Sequence, residues 1–181
     1  MLVIPPAPAR LVLPIEKHWH GARSDGPRGR LELALRAGDL WLRAELRRPG
    51  PAAVPAAPPG TRVDGLWNYD VVECFLAGSA GRYLEVEIGA AGHFLLLGFR
   101  ARRVREASWP GLRLATAHGR SPDGAWWASL SVPRALLPLD VRAVNAFAIA
   151  AGELLAHAPL PGAHADFHQP ERWPAARLGR R

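Results

Sequence analysis

The chain has 181 residues, 49% of them hydrophobic and 22% charged, a size and balance that suit one globular domain with its own core and exclude wholesale disorder. The formal charge of +7 invites nucleic acid as a partner, but all 23 basic residues except Lys17 are Arg and they are spread along the chain, with one cluster at Arg100, Arg102, Arg103 and Arg105 and a basic end at Arg177, Arg180 and Arg181. No helix-turn-helix, aromatic RNA-binding strand or Cys/His finger accompanies them, so a solvated basic surface is the better reading and nucleic acid the lesser one.

The start, MLVIPPAPAR, has three prolines where a signal peptide carries an apolar stretch, and no apolar run reaches the roughly 18 residues that span a bilayer. The expectation is a cytoplasmic protein without membrane contact. Arg30 to Arg36 (RLELALR) places Leu31, Leu33 and Leu35 on one face, and Asp39 to Arg47 (DLWLRAELR) places Leu40, Leu42, Ala44 and Leu46 likewise. With the Ala37-Gly38-Asp39 turn between them, the two segments predict a β-hairpin. Arg48 to Gly65 (RPGPAAVPAAPPGTRVDG) is too proline-rich for helix. It is either a mobile surface insertion, the favoured reading, or a segment lying over a face.

Seven more period-two or short apolar runs follow, at Val71 to Leu76, Arg82 to Ile88, His93 to Phe99, Leu112 to Ala117, Ala125 to Val132, Ala143 to Ala151 and Glu153 to Ala158. Each is bounded by Gly, Pro, Asn or Asp. Helix has room only for a short turn after Pro133. The pattern predicts an all-β fold, a two-sheet antiparallel β-sandwich of immunoglobulin-like or jelly-roll type, filling residues 1–181 as one domain.

Three features go beyond packing. There are seven tryptophans, and the adjacent Trp126 and Trp127 must point to opposite sheet faces. In Val71 to Leu76, Glu73 shares a face with Val71 and Phe75, so its carboxylate must be paired, hydrogen-bonded or open to a site. The segment Ala163 to Trp173 (AHADFHQPERW) is a dense polar and aromatic run late in the chain. His164, Asp166 and His168 alternate there with His157 nearby, a pattern that suits a metal but reads better as an ordinary polar loop. Glu85 and Glu87 could be a glycosidase carboxylate pair with Asp70 or Glu73, against the plainer reading of a solvated strand face. Cys74 has no adjacent histidine to activate it, and as the lone cysteine it forms no internal disulfide.

The W-x-x-D-x-x-E of Trp67, Asp70 and Glu73, the YLEVEIGAAG strand and turn, WWASLSVPRALL, the Asn145 strand and the closing FHQPERWPAARL together resemble the family-nine carbohydrate-binding modules and the related DOMON-like domains, over roughly Leu11 to Leu178. The resemblance implies a β-sandwich and, from its sugar-binding members, a saccharide clamped between two tryptophans. On this chain the clamp would be Trp67 and Trp173, with Glu73 accepting hydroxyl hydrogen bonds and Asp70, Asn145 and His168 as further polar groups. No catalytic residues are implied. The chain departs from that pattern at Ala148 and Ile149, where many sugar-binding members carry an arginine, and at Trp173-Pro174, where an aromatic-Gly pair is common. The alternative is an interaction domain of the same fold that has lost sugar binding. Met/His haem, known in some DOMON domains, is excluded because Met1 is the one methionine. Calcium, frequent in family-nine modules, has no ligand set that the sequence can place. Oligomeric state is open.

Overall fold

The computed structural model describes residues 1–179; Arg180 and Arg181 of the basic C-terminal cluster lie outside the described residues. Three sheets hold fourteen strands among these residues. The five-stranded sheet is built from β2 (Leu11–Ile15), β4 (Arg28–Arg36), β5 (Asp39–Arg47), β10 (Thr116–Arg120) and β11 (Trp126–Val132), in the order β10-β11-β5-β4-β2. The seven-stranded sheet contains β3 (Lys17–His18), β6 (Val71–Ala77), β7 (Tyr83–Gly89), β8 (Phe94–Ala101), β9 (Val104–Ala107), β12 (Ala143–Ala150) and β13 (Glu153–Ala156), ordered β3-β13-β12-β6-β7-β8-β9. A short parallel pair joins β1 (Leu2–Ile4) to β14 (Ala176–Leu178) and ties the two chain ends together. All pairings within the two large sheets are antiparallel.

Strand alternation explains how the sheets meet. The inward faces of β4, β5 and β11 supply Leu31, Leu33, Leu40, Leu42, Leu46, Trp126 and Leu130, which pack against Val72, Cys74, Leu76, Val86 and Leu96 of the larger sheet. The β4–β5 hairpin forms as its pattern predicts, and Ala37 and Gly38 both take positive φ, 50° and 96°, as a tight two-residue hairpin turn requires. Trp126 points into this core, whereas Trp127 lies on the outer face beneath the Arg43 guanidinium, 4.8 Å from the ring centroid. Trp41 is covered in the same way by Arg36, at 3.8 Å, and Arg10, at 5.2 Å. These arginine stems shield large rings that a one-sided core could not bury. Arginines also pair with acids, as in Arg10–Glu32, Arg30–Glu45 and Arg82–Glu106, so much of the basic charge is locally matched.

Several local expectations are corrected. The run Leu112 to Ala117 is not a strand; Leu112 and Leu114 pack against the core from an irregular segment, and β10 begins at Thr116. β1, β2, β3, β9 and β14 lack a clear apolar alternation, and sheet pairing rather than pattern makes them strands. Pro133 opens a single 3-10 turn, Arg134–Leu136. The proline-rich stretch is no loose insertion. Its backbone is pinned along the strand ends by Asp70 N–H to the Ala53 carbonyl (3.1 Å), Gly60 N–H to that of Ala91 (3.0 Å) and Val63 N–H to that of Phe94 (3.0 Å), and by His93 Nε2 against the Ala57 carbonyl at 3.0 Å. None of the described helices is long and apolar enough to cross a membrane.

The larger sheet has a second, outer core. Val71, Phe75, Tyr83, Leu95, Leu97, Phe99 and Phe147 project away from the smaller sheet, and the C-terminal segment carrying Phe167 and Trp173 lies over them. Both faces of β6 and β7 are therefore buried, and the expectation that Glu85 and Glu87 lie on a solvated face is overturned. They are 4% and 0% exposed.

Candidate functional site

Where the C-terminal segment does not fully cover the outer face, a cavity of about 430 Å³ remains, within the range of small-ligand sites. Its floor is the larger sheet: Glu73, Glu85, Leu97, Phe99 and Ile149, with Leu154 beside them. Ala165, Phe167 and His168 form one wall, and Trp67, Arg103 and Arg105 stand at the remaining sides.

Each side chain is placed by an identifiable local cause. Gly65, with φ 71°, turns the chain in a conformation that favours glycine, and the 3-10 turn Leu66–Asn68 follows. Leu66 anchors that turn in the outer core, and Asn68 Nδ2 donates to the Gly65 carbonyl at 3.0 Å. Trp67 is left 39% exposed beside the cavity. On the opposite wall Phe167 stacks on Phe147 with centroids 4.2 Å apart, and His168 sits edge-on to Phe75 at 5.3 Å. His168 Nδ1 lies 2.8 Å from the Tyr83 hydroxyl, and Asp166 holds the Arg102 and Arg103 guanidinium groups while accepting from the His168 backbone N–H at 2.9 Å.

The floor carries an unusual concentration of buried acid. Glu73 and Glu87 are direct cross-strand partners in the β6–β7 ladder, and Glu85 opposes the neighbouring Phe75. All three side chains share the outer face, and like charges so placed repel. Glu85 Oε2 has no hydrogen-bond partner among the described residues. Burial, aided by repulsion from Glu85, raises the Glu73 carboxyl well above the ordinary range. Glu87 is raised in the same way, by burial and then by Glu73 and Glu85. Burial pushes Glu85 up to about 7, against the pull of Arg105 and Arg103. His168 moves the other way, down to about 4, because burial and the nearby Arg103 disfavour its charged form. It is a neutral ring at physiological pH.

The six residues anticipated from the sequence divide evenly. Trp67, Glu73 and His168 line one cavity. Trp173 does not: it is 5% exposed, packed on Phe75 at 5.1 Å and Tyr83 at 5.4 Å, and its Nε1–H donates to the Phe167 carbonyl at 3.1 Å. The two-tryptophan clamp is therefore corrected, because Trp173 is used to seat the segment that forms the wall. Asp70 is likewise structural. Its Oδ2 accepts from Arg48 Nη1 (2.7 Å) and Ala53 N–H (3.1 Å), and its Oδ1 from Ala151 N–H (3.2 Å). Asn145 is fully buried and clasps Ala158, accepting from its N–H at 3.1 Å and donating to its carbonyl at 2.9 Å.

Sequence reasoning raised Glu85 only as half of a carboxylate pair and set it aside for a solvated face, and it missed Arg103, Arg105 and Phe167 as cavity residues. The available signal was the pair of glutamates at alternate positions in YLEVEIG, embedded among apolar neighbours as Glu73 is. No three of the described His, Cys, Asp and Glu side chains are grouped so as to hold a metal ion; Asp166, central to the His164, Asp166, His168 alternation, is committed to two arginines.

No family model matches the chain. Three vertebrate proteins, each described as UPF0462 protein C4orf33 homolog, are similar in sequence. The Rattus norvegicus protein is 30% identical over 154 residues, which cover 78% of this chain and 76% of that protein. Those of Danio rerio (33% over 96 residues) and Mus musculus (35% over 97 residues) match 52% of this chain. These two matches span about half the length of the relatives, 47% and 48%. In three dimensions the chain is similar to a candidate carbohydrate-binding protein from Bacteroides uniformis, with TM-score 0.72, 16% identity and 98% coverage of both chains. It is also similar to a family-nine carbohydrate-binding module from Caldicellulosiruptor kristjanssonii in complex with cellotriose, with TM-score 0.61, 11% identity and coverage of 99% of this chain and 94% of that one. The fold is that of a carbohydrate-binding-module-like β-sandwich.

Proposed function

Starting from a chain that belongs to the UPF0462 family and has the fold of a carbohydrate-binding module, we propose that it is a non-catalytic saccharide-binding protein, a single DOMON-like domain over residues 1–181. One observation carries the reading. An exposed tryptophan, Trp67, stands over a cavity of about 430 Å³ whose floor presents the carboxyl groups of Glu73 and Glu85. An aromatic ring offers an apolar plane to the C–H face of a sugar, while carboxyl oxygens accept from its hydroxyls and fix its orientation. Phe167 and His168 close the opposite side. The cellotriose bound by the similar module supports the same ligand class.

Binding in this scheme needs no covalent step. Trp67 supplies contact area, Glu73 and Glu85 accept hydroxyl hydrogen bonds, and neutral His168 has its Nε2 to offer, since Nδ1 is engaged by Tyr83. A second reading, an interaction domain of this fold without sugar binding, is favoured by Ile149 on the cavity floor, an apolar residue in the strand region where many sugar-binding members of the resembled family carry an arginine. Titrating tryptophan fluorescence with mono- and disaccharides separates the two. The proposal expects a saturable change that Trp67→Ala abolishes. No change up to roughly tens of millimolar sugar, the weak limit of specific binding, would refute it.

A further inference from the structure

Glu73 and Glu85 face the cavity, and neither makes an ion pair with a described residue. Glu85 Oε2 is buried and unpartnered, and the fully buried carboxyl of Glu87 lies beside the floor, across the strand from Glu73. Buried acceptors of this kind are rare in folded proteins, because each forfeits its water without recovering a donor. The titratable and charged groups around Glu85 are Glu73 on β6, Tyr83 and Glu87 on β7, Arg103 in the turn before β9, Arg105 on β9, and Asp166 and His168 from the C-terminal segment. Arg103 is held by Asp166 at 2.8 Å, and His168 carries no charge at neutral pH. Arg105 makes no ion pair among the described residues and stands at the mouth, with its guanidinium carbon 6.0 Å from the Trp67 ring centroid.

A floor of open carboxyl oxygens calls for donors, and preferably for positive charge. A sugar hydroxyl brings one donor and lone pairs that need partners of their own, whereas an ammonium group brings three N–H donors, a full charge and no acceptor. A bare divalent cation fits less well, since these carboxyls are not grouped as metal ligands. Resting on the saccharide reading, we infer that the cavity selects a saccharide carrying a protonated amine, its ammonium against Glu73 and Glu85 and its ring on Trp67. Arg105 then acts as a built-in competitor, occupying the mouth above these carboxyls when no ligand is present.

Calorimetric titration of the full chain with glucosamine, glucose and N-acetylglucosamine tests this. Glucosamine binds at least about tenfold more tightly than the other two at about pH 7.5, as one charge-assisted contact would give. Its advantage shrinks at about pH 5, where Glu85, raised to about 7, is protonated. Glu85→Gln and Glu73→Gln lose the preference for the amine, while Arg105→Gln strengthens it. Opposite signs for the acid and arginine variants are not expected of simple misfolding, and circular dichroism melts verify that each variant is folded. Glucose and N-acetylglucosamine binding as tightly as glucosamine would overturn the amine inference and leave the saccharide reading standing. If none of the three binds, both fail. Ethanolamine matching glucosamine, or calcium chloride displacing it, also overturns the inference.

Discussion

Replacing Glu85 with glutamine removes one buried acid while keeping its shape, and so changes how stability depends on pH. In the folded chain burial raises this carboxyl from its ordinary 4.5 to about 7, so the native state holds the proton more tightly than the unfolded state does. The associated stability is fully present below about pH 4.5, falls as pH rises toward about 7 and is gone above that. At about 1.4 kcal/mol for each pH unit, the loss across this window is ~3 kcal/mol. For a protein of this size that corresponds to a melting temperature lower by roughly 6–12 °C. Glu85→Gln lacks this proton, and by removing a neighbouring charge it also relaxes Glu73 and Glu87, whose values Glu85 helps to raise. The assay is urea or thermal unfolding of both proteins at intervals between about pH 4 and pH 8. Comparing pH slopes isolates the effect, because burying an amide carries a cost of its own that does not change with pH. Both proteins should lose stability through this range, because Glu73 and Glu87 stay buried, but the wild type should lose ~3 kcal/mol more than the variant. Parallel slopes for the two would refute a buried, ionisable Glu85 next to other acids.

Three further outcomes follow from the same packing. Trp173→Ala should cost ~3–5 kcal/mol in chemical denaturation, the penalty for emptying a large buried aromatic site, and a loss below ~1 kcal/mol would show that Trp173 is not the anchor of the C-terminal segment. Asp70→Ala strands a largely buried Arg48 and frees Ala53; the expected cost is ~3 kcal/mol, accompanied by faster proteolysis within residues 48–65 of the folded protein, and an unchanged cleavage pattern would contradict the pinning. Cys74 is fully buried and burial pushes its thiol up, so an aromatic disulfide reagent should label it only at the rate of unfolding. Rapid labelling in native buffer would place Cys74 elsewhere.

Strand period was legible because it is a local property. In Leu31, Leu33 and Leu35, and again in Leu40, Leu42, Ala44 and Leu46, one face is apolar whatever lies beyond it, and that predicts both the hairpin and the β-sandwich. The same logic marked Glu73, a carboxylate between Val71 and Phe75. It misread Glu85 and Glu87, whose alternation in YLEVEIG is that of a half-solvated strand. What buries them is the C-terminal segment laid over the outer face, some eighty residues further along the chain. The short strands β1, β3 and β14 were equally invisible, since their backbone bonds are set by partners distant in sequence.

Composition supplied seven tryptophans and a charge of +7 without saying how either is used. Only the tertiary structure assigns Trp173 to packing and Trp67 to the cavity, because side-chain burial depends on which segments cross above a residue rather than on its neighbours in sequence. It likewise turns much of the arginine charge inward on the molecule, as covers for Trp41 and Trp127 and as partners for Glu32, Asp70 and Asp166. Local pattern determined the class of fold. The site, an exposed ring above buried acids, exists only where the C-terminal segment has been laid beside the outer face of the larger sheet.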